Sequence, residues 1–273
     1  FYFFCINMSV LFRCKTEEGF QFKILSELLI NNIKCGCFTI NKKGIFLRML
    51  DSPRHTLVDL QLNAEDFLFY QYNREEEMVI GINLHHFNKM LKSVRKKDYL
   101  QMIIYEDNPT ELIIKTIPKE NSRVTTSGIK IQNIHNLVTD LPTGYERSNI
   151  ISSSVFHKMS KELLNIESTH IKINANKYYI DFIADSDGLF SREIRLGNIE
   201  ESEYDKDVLV TYSGTFSSEQ FNRVNKIYGL SSVIKIFTGT IDQPILLSTN
   251  VGKIGKFSIY IKSREIIENE ITQ

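Results

Sequence analysis

Phe87-Asn88-Lys89-Met90 (FNKM) is echoed by Phe221-Asn222-Arg223-Val224 (FNRV), 134 residues further along the chain. FKILSELL (Phe22–Leu29) returns as FHKMSKELL (Phe156–Leu164), and Phe22 to Phe156 is again 134 residues. Two helix-like segments therefore recur at one period and in one order, which is the trace of a duplicated domain. A chain of 273 residues is long for a single core and suits two domains of ~130 residues each.

The segments around these helices are rich in Val, Ile, Phe, Tyr and Leu, with turn residues between them, and read as strands. In the first half they are SVLFRCK, CFTINKKGIFLRMLD, HTLVDLQLN, FLFYQYN, EEMVIGIN, YLQMIIYED, ELIIKTI and RVTTSGIKI. In the second they are HIKINAN, YYIDFIAD, FSREIRL, DVLVTYSG, SVIKIFTG, PILLSTN and KFSIYIKS. Helices are expected at about Phe20–Ile33, Leu84–Val94, Ser154–Ile166 and Ser218–Tyr228, with Asn83 and serines 152 to 154 as caps. Strand runs with two helices per half predict an α+β fold, two similar domains of antiparallel sheets with the helices on one face, rather than a βαβ alternation. Ile131–Asn149 holds Pro142-Thr143-Gly144 and little periodicity, and reads as a connector. The predicted organisation is an N-terminal domain over 8–130, the connector over 131–149, a C-terminal domain over 150–265, and a polar, frayed tail over 266–273.

Composition is that of a globular protein, with 42% hydrophobic and 24% charged residues. Lys plus Arg equals Asp plus Glu at 33 each, so any affinity for nucleic acid must come from the distribution of charge. At 100° per residue, Leu84, Phe87, Leu91 and Val94 form one stripe of the second helix, and His85, Lys89, Lys92 and Lys96 lie opposite, with Arg95 adding charge. In the third helix Phe156, Met159, Leu163 and Ile166 face Lys158 and Lys161. In the fourth, Phe221, Val224 and Tyr228 face Arg223 and Lys226; in the first, Lys23 is partly offset by Glu27. A lysine on an outward helix face is ordinarily a solvated surface. Here the acids collect elsewhere, at Glu17-Glu18, Glu75–Glu77, Asp185, Asp187 and Glu200–Asp207. Sorted charge of this kind suits phosphate contacts that are independent of sequence and sensitive to salt. No helix has the Asn, Gln and Arg pattern of base readout in a helix-turn-helix setting.

The cysteines, Cys5, Cys14, Cys35 and Cys37, all fall in the first 37 residues and form no disulfide framework or zinc knuckle, so free thiols are expected. Phe1–Asn7 is apolar but lacks the basic start and cleavage site of a signal peptide, and the domain is expected to begin near Met8. No segment has the ~20 apolar residues of a membrane span, so a soluble, intracellular protein is expected. His85-His86 lacks an acidic or thiol partner at i+4, and Asp181, Asp185 and Asp187 lack the Gly and Glu of a calcium loop. No phosphate-binding loop or nucleophile motif is present. The reading is therefore of a protein that is not an enzyme and needs no cofactor or metal.

Gly44–Leu62, GIFLRMLDSPRHTLVDLQL, resembles the sliding-clamp family, PCNA in particular. The likeness continues through AEDFLFYQYN, MVIGINLHHFNKMLKSV, YEDNPTELII, KIYGLSSVIKI and QPILLSTNVGKIGKFSIYI, in order, over roughly Met8 to Ser263. The resemblance implies the DNA clamp fold, in which three copies close head to tail into a homotrimeric ring. Helices would line a channel around duplex DNA, here through Lys23, His85, Lys89, Lys92, Arg95, Lys96, Lys158, Lys161, Arg223 and Lys226. The joining edge strands would be about Asn121–Lys130 and Ser191–Asn198. It also implies a polymerase and other clients docking PIP-box-like peptides with apolar and aromatic anchors, at Leu50, Leu57, Val138, Leu141, Pro244 and Tyr260, and a clamp loader. The chain departs from the family in its neutral charge, in Lys262-Ser263 where PCNA has Ala-Pro, and in Phe1–Asn7. Its wealth of Ile, Asn and Lys is that of an AT-rich genome and resembles the PCNA-like protein of a large DNA virus of the African swine fever virus type. That implies viral replication sites in host cytoplasm or nucleus, or the nucleus for a cellular protein. The competing reading is a PCNA-like accessory or transcription factor that binds DNA without a closed ring.

Overall fold

The computed structural model describes residues 9–120, 123–134, 139–197 and 210–272. Phe1–Asn7 with Cys5, Met8, Asn121, Val138, Asn198 and the acidic run Glu200–Asp207 lie outside the described residues. The described residues form two compact units, one of residues 9–49, 60–134 and Val251–Lys256, the other of Leu50–Asp59 and residues 139–197, 210–250 and 257–272.

The first unit opens with β1 (Val10–Thr16) and α1 (Gly19–Asn32), followed by β2 (Cys35–Asn41), β3 (Gly44–Leu50) and the end of β4 (Thr56–Asn63). Then come β5 (Phe69–Tyr72), β6 (Met78–Asn83), α2 (Leu84–Leu91), β7 (Tyr99–Tyr105), β8 (Glu111–Ile117) and β9 (Thr125–Lys130). Its strands run in the orders β5-β1-β7-β8-β9 and β4-β3-β2-β6. The stretch CFTINKKGIFLRMLD is a hairpin, β2 and β3, turning at Lys42-Lys43. Gly44 ends that turn at φ 150°, where a Cβ would lie 1.9 Å from the Leu62 carbonyl oxygen, so only glycine fits. The strands alternate as the period of two demands: in β8, Leu112, Ile114 and Thr116 point inward.

The second unit holds β10 (Asn149–Ser152), α3 (Ser153–Leu164), β11 (His170–Ala175), β12 (Tyr179–Ser186), β13 (Phe190–Gly197) and β14 (Tyr212–Ser217). After them come α4 (Ser218–Val224), β15 (Val233–Phe237), β16 (Ile245–Asn250), β17 (Gly255–Ile261) and α5 (Arg264–Ile271). Its orders are β10-β15-β16-β17 and β13-β12-β11-β14. Strand for strand, these repeat β1-β7-β8-β9 and β4-β3-β2-β6 of the first unit. The architecture is α+β with antiparallel registers, as the strand-and-helix pattern predicts.

The repeated phenylalanines are the anchors. Phe87 lines a cavity of about 30 Å³ in the first unit with Phe22, Leu25, Phe38, Leu60 and Met102. Phe221 lines one of about 10 Å³ in the second with Ile173, Phe182 and Phe216. Burying each such side chain stabilises its unit by ~1.5–3 kcal/mol, and voids this small cost little.

The tail differs from expectation. Residues 264–271 form α5 rather than a frayed end, because Ser263 caps it and its charges are paired. Lys262 meets Glu270 and Arg264 meets Glu268, each at 2.6 Å. The Glu265 carboxylate accepts the Thr215 N–H of β14 at 3.0 Å, fastening the helix to an edge strand. Cys14, Cys35 and Cys37 are free thiols. Among the described residues no helix is long and apolar enough to cross a membrane, and no cluster could hold a metal ion.

Candidate functional site: basic helix faces and the connector cluster

α2 starts where the Asn83 side chain accepts the His86 N–H at 3.1 Å. Leu84, Phe87 and Leu91 are buried, as is Val94 in the turn beyond, and His85, Lys89, Lys92, Arg95 and Lys96 are exposed. The helix ends earlier than its periodicity suggests, because Asp98 accepts the Arg95 N–H at 2.9 Å and turns the chain. α1 lies beside α2: buried Asn88 donates to Ser26 Oγ at 3.0 Å, and Lys23 Nζ donates to the Lys92 carbonyl at 2.8 Å. Lys23 and Lys96 also sit 5.9 and 5.8 Å from the Phe20 ring, a doubled cation–π contact. Lys23 is thus a clasp between helices as well as a surface charge.

In the second unit Ser152 caps α3 by accepting the Val155 N–H at 3.3 Å. Phe156, Met159, Leu163 and Ile166 are buried, and Lys158 and Lys161 are exposed. His157, one period from Lys23, takes a different course: its ring stacks on Tyr228 with centroids 3.8 Å apart. Burial, with Lys161 and Lys226 nearby, holds its imidazole below the usual histidine range, so near neutral pH it adds no charge to this face. α4 carries Ser217 as cap and continues into a 3-10 turn, Asn225–Gly229, on which Lys226 is exposed.

Arg223 is the correction in this set. The repeat predicts an outward cation equivalent to Lys89. Instead its guanidinium is half-buried, 2.5 Å from Glu219 and 3.9 Å from the buried Asp51 carboxylate. Glu219 stands where α2 has His85, so this helix supplies its arginine with an acid that α2 lacks.

The expected client residues that are described converge within the second unit; Val138 lies outside the described residues. Leu57, Leu246 and Tyr260 form a buried cluster, and Leu50, Leu141, Tyr145 and Phe237 pack against it. Pro244 enters through its carbonyl, which accepts the Tyr145 hydroxyl at 2.6 Å. Leu141 is half-buried on this cluster rather than bare. Asp51 shapes the turn between Leu50 and Leu57 by accepting the His55 and Thr56 N–H groups at 2.8 and 2.9 Å. Sequence reasoning missed Tyr145, Phe237 and Leu246. Phe237 and Leu246 lie opposite each other in register, so alternation along β15 and β16 could have found them. Tyr145 has no periodic signal, being one aromatic residue in a loop.

Residues 11–139 match the family model described as the N-terminal domain of proliferating cell nuclear antigen. The chain is PCNA-like. A protein of Nitrosopumilus maritimus named DNA polymerase sliding clamp is 24% identical over 93% of this chain and 98% of its own length. The proliferating cell nuclear antigen of Chaetomium thermophilum is 26% identical over 82% of this chain and 86% of its own. A probable DNA polymerase sliding clamp of Paramecium bursaria Chlorella virus 1 is 22% identical over 93% and 97%. The PCNA-like chain has the DNA clamp fold.

Proposed function

We propose that this PCNA-like protein is a DNA sliding clamp, a closed homotrimer that encircles duplex DNA, tethers a polymerase and other clients to it, and does no chemistry itself. The observation that carries this reading is the pair of strand edges left open by the duplicated topology. β4 and β17 are neighbours, through Lys262 N–H to His55 C=O and Asn63 N–H to Ile254 C=O, both at 2.9 Å. By strand order β13 is the counterpart of β4, and β9 the counterpart of β17. Both are sheet edges with largely exposed residues. Repeating the β4–β17 pairing between copies joins β13 of one to β9 of the next, a head-to-tail contact that removes every such edge when it closes.

The relatives named sliding clamps support the same reading across both units. Lys89, Lys92, Arg95 and Lys96 in the first unit and Lys158, Lys161 and Lys226 in the second are the phosphate contacts, with Lys23 and His85 contributing and Arg223 largely neutralised. Client peptides dock at Leu50, Leu57, Leu141, Pro244 and Tyr260, and Val138 belongs to the same proposal. A loader that opens the ring, a viral source of the African swine fever virus type and action at viral replication sites complete it. Light scattering should give about three times 31.7 kDa. A monomer at high micromolar concentration would overturn the ring.

A further inference from the structure

We infer that Gln243 is a positioning residue that buckles the connector to the β15–β16 loop and so holds the pocket wall ready for an incoming peptide with apolar and aromatic anchors. This rests on the client-pocket reading above.

The geometry is specific. The Gln243 Nε2 donates to the Thr143 carbonyl at 2.7 Å, and its Oε1 accepts the Thr240 N–H at 2.9 Å. The two partners fix the amide's orientation, since a flip would set donor against donor and acceptor against acceptor. Its own N–H closes the turn onto the Thr240 carbonyl at 3.0 Å. One side chain thus ties together two loops a hundred positions apart in sequence.

Two glycines make room for it. Gly144, at φ 91°, would bring a Cβ to 3.1 Å from Nε2. Gly239, at φ 65°, would bring one to 2.4 Å from Oε1 and 3.1 Å from the Tyr145 ring. Both positions demand the left-handed region, so glycine serves conformation and clearance together.

The consequence falls on Leu141 and Tyr145. Residues 139–148 lie in no helix or strand, so nothing regular holds them. Yet both side chains rest on Leu57, Leu246 and Tyr260, with Tyr145 edge-on to Phe237 at 6.1 Å. The buckle, with the Tyr145 hydroxyl on the Pro244 carbonyl, fixes the loop at the point where these side chains leave it. A wall ordered beforehand spares the peptide the entropy of ordering it, which is how preorganisation raises affinity.

The test compares the full-length protein with Gln243→Glu and Leu141→Asp. The glutamate keeps the acceptor for Thr240 but sets a carboxylate against the Thr143 carbonyl. The probe is a fluorescent peptide carrying one aliphatic and two aromatic anchors, read by anisotropy, with hydrogen exchange and thermal melting alongside. Gln243→Glu should weaken the peptide about tenfold, speed exchange only in 139–148 and 238–243, and leave melting unchanged. Unchanged affinity in Gln243→Glu, with binding lost in Leu141→Asp, overturns the buckle and leaves the pocket standing. Tighter binding would make Gln243 a bar across the pocket, and faster exchange throughout β15 and β16 would make it only structural; either overturns the inference. Retention of the peptide by Leu141→Asp removes the pocket itself, and the role of Gln243 with it.

Discussion

At the scale of single residues the duplication is imperfect in an informative way. Asn88 and Ser26 bond across α1 and α2. Their counterparts one period on, Asn222 and Ser160, do not: Asn222 is exposed, and the Ser160 hydroxyl is buried without a partner among the described residues. The same residue types therefore carry opposite energetics. Ser26→Ala should destabilise the protein by ~1–3 kcal/mol, because it strands the buried Asn88 amide. Ser160→Ala should be neutral or stabilising by up to ~1 kcal/mol, because it removes a buried polar atom that bonds to no described group. Urea denaturation of the two variants checks this, and equal losses would refute it.

At the scale of elements, the helices divide labour between an apolar stripe that anchors and a polar face that is left over. α2 has no acid on that face, and Lys89 and Lys92 stay exposed. α4 has Glu219, and its arginine turns to that acid and to Asp51. DNA affinity should therefore depend on Lys89, Lys92 and Lys226 more than on Arg223. Replacing the three lysines with Ala should weaken binding about equally for unrelated duplexes and flatten the salt dependence, which counts phosphate contacts. It should leave stability within ~0.5 kcal/mol, since exposed charges are easily removed. Arg223→Ala alone should barely alter the salt dependence but should lower stability by more than any of the lysines, because the buried Asp51 loses a counter-charge. Filter binding across a salt series, with thermal melts, separates these outcomes.

At the scale of the whole molecule, the open edges β9 and β13 need covering. Leu189 and Phe190, 90% and 53% exposed at the start of β13, are large apolar groups standing in water beside such an edge. Changing both to Asp should leave each chain folded, since neither is part of a core, and should reduce the particle mass from that of the proposed trimer to 31.7 kDa. A trimer that survives the double change would place the contact elsewhere.

Much of this was legible in the sequence because it is local or periodic. A 134-residue repeat shows itself in the order of segments, and a 3.6-residue stripe through Phe87 or Phe221 and the alternation along β8 each report a constraint acting between near neighbours. They gave the α+β class and the exposure of Lys89, Lys92, Lys158, Lys161 and Lys226, while residue type gave Asn83 as one cap and serines 152 to 154 as candidates for another, of which Ser152 caps α3. The resemblance drawn from ordered segments led to Leu50, Leu57, Leu141 and Tyr260, which do meet in one cluster. Only the tertiary structure decided the rest. Whether Arg223 is a free charge depends on Asp51, 172 positions away in sequence, and whether residues 264–271 form a helix depends on Thr215 in an edge strand. The place of Tyr145 goes with its hydroxyl bond to the Pro244 carbonyl, 99 positions along the chain. Such contacts leave no period in the chain, because a hydrogen bond or ion pair selects its partner by position in space, and spacing along the sequence does not encode that position.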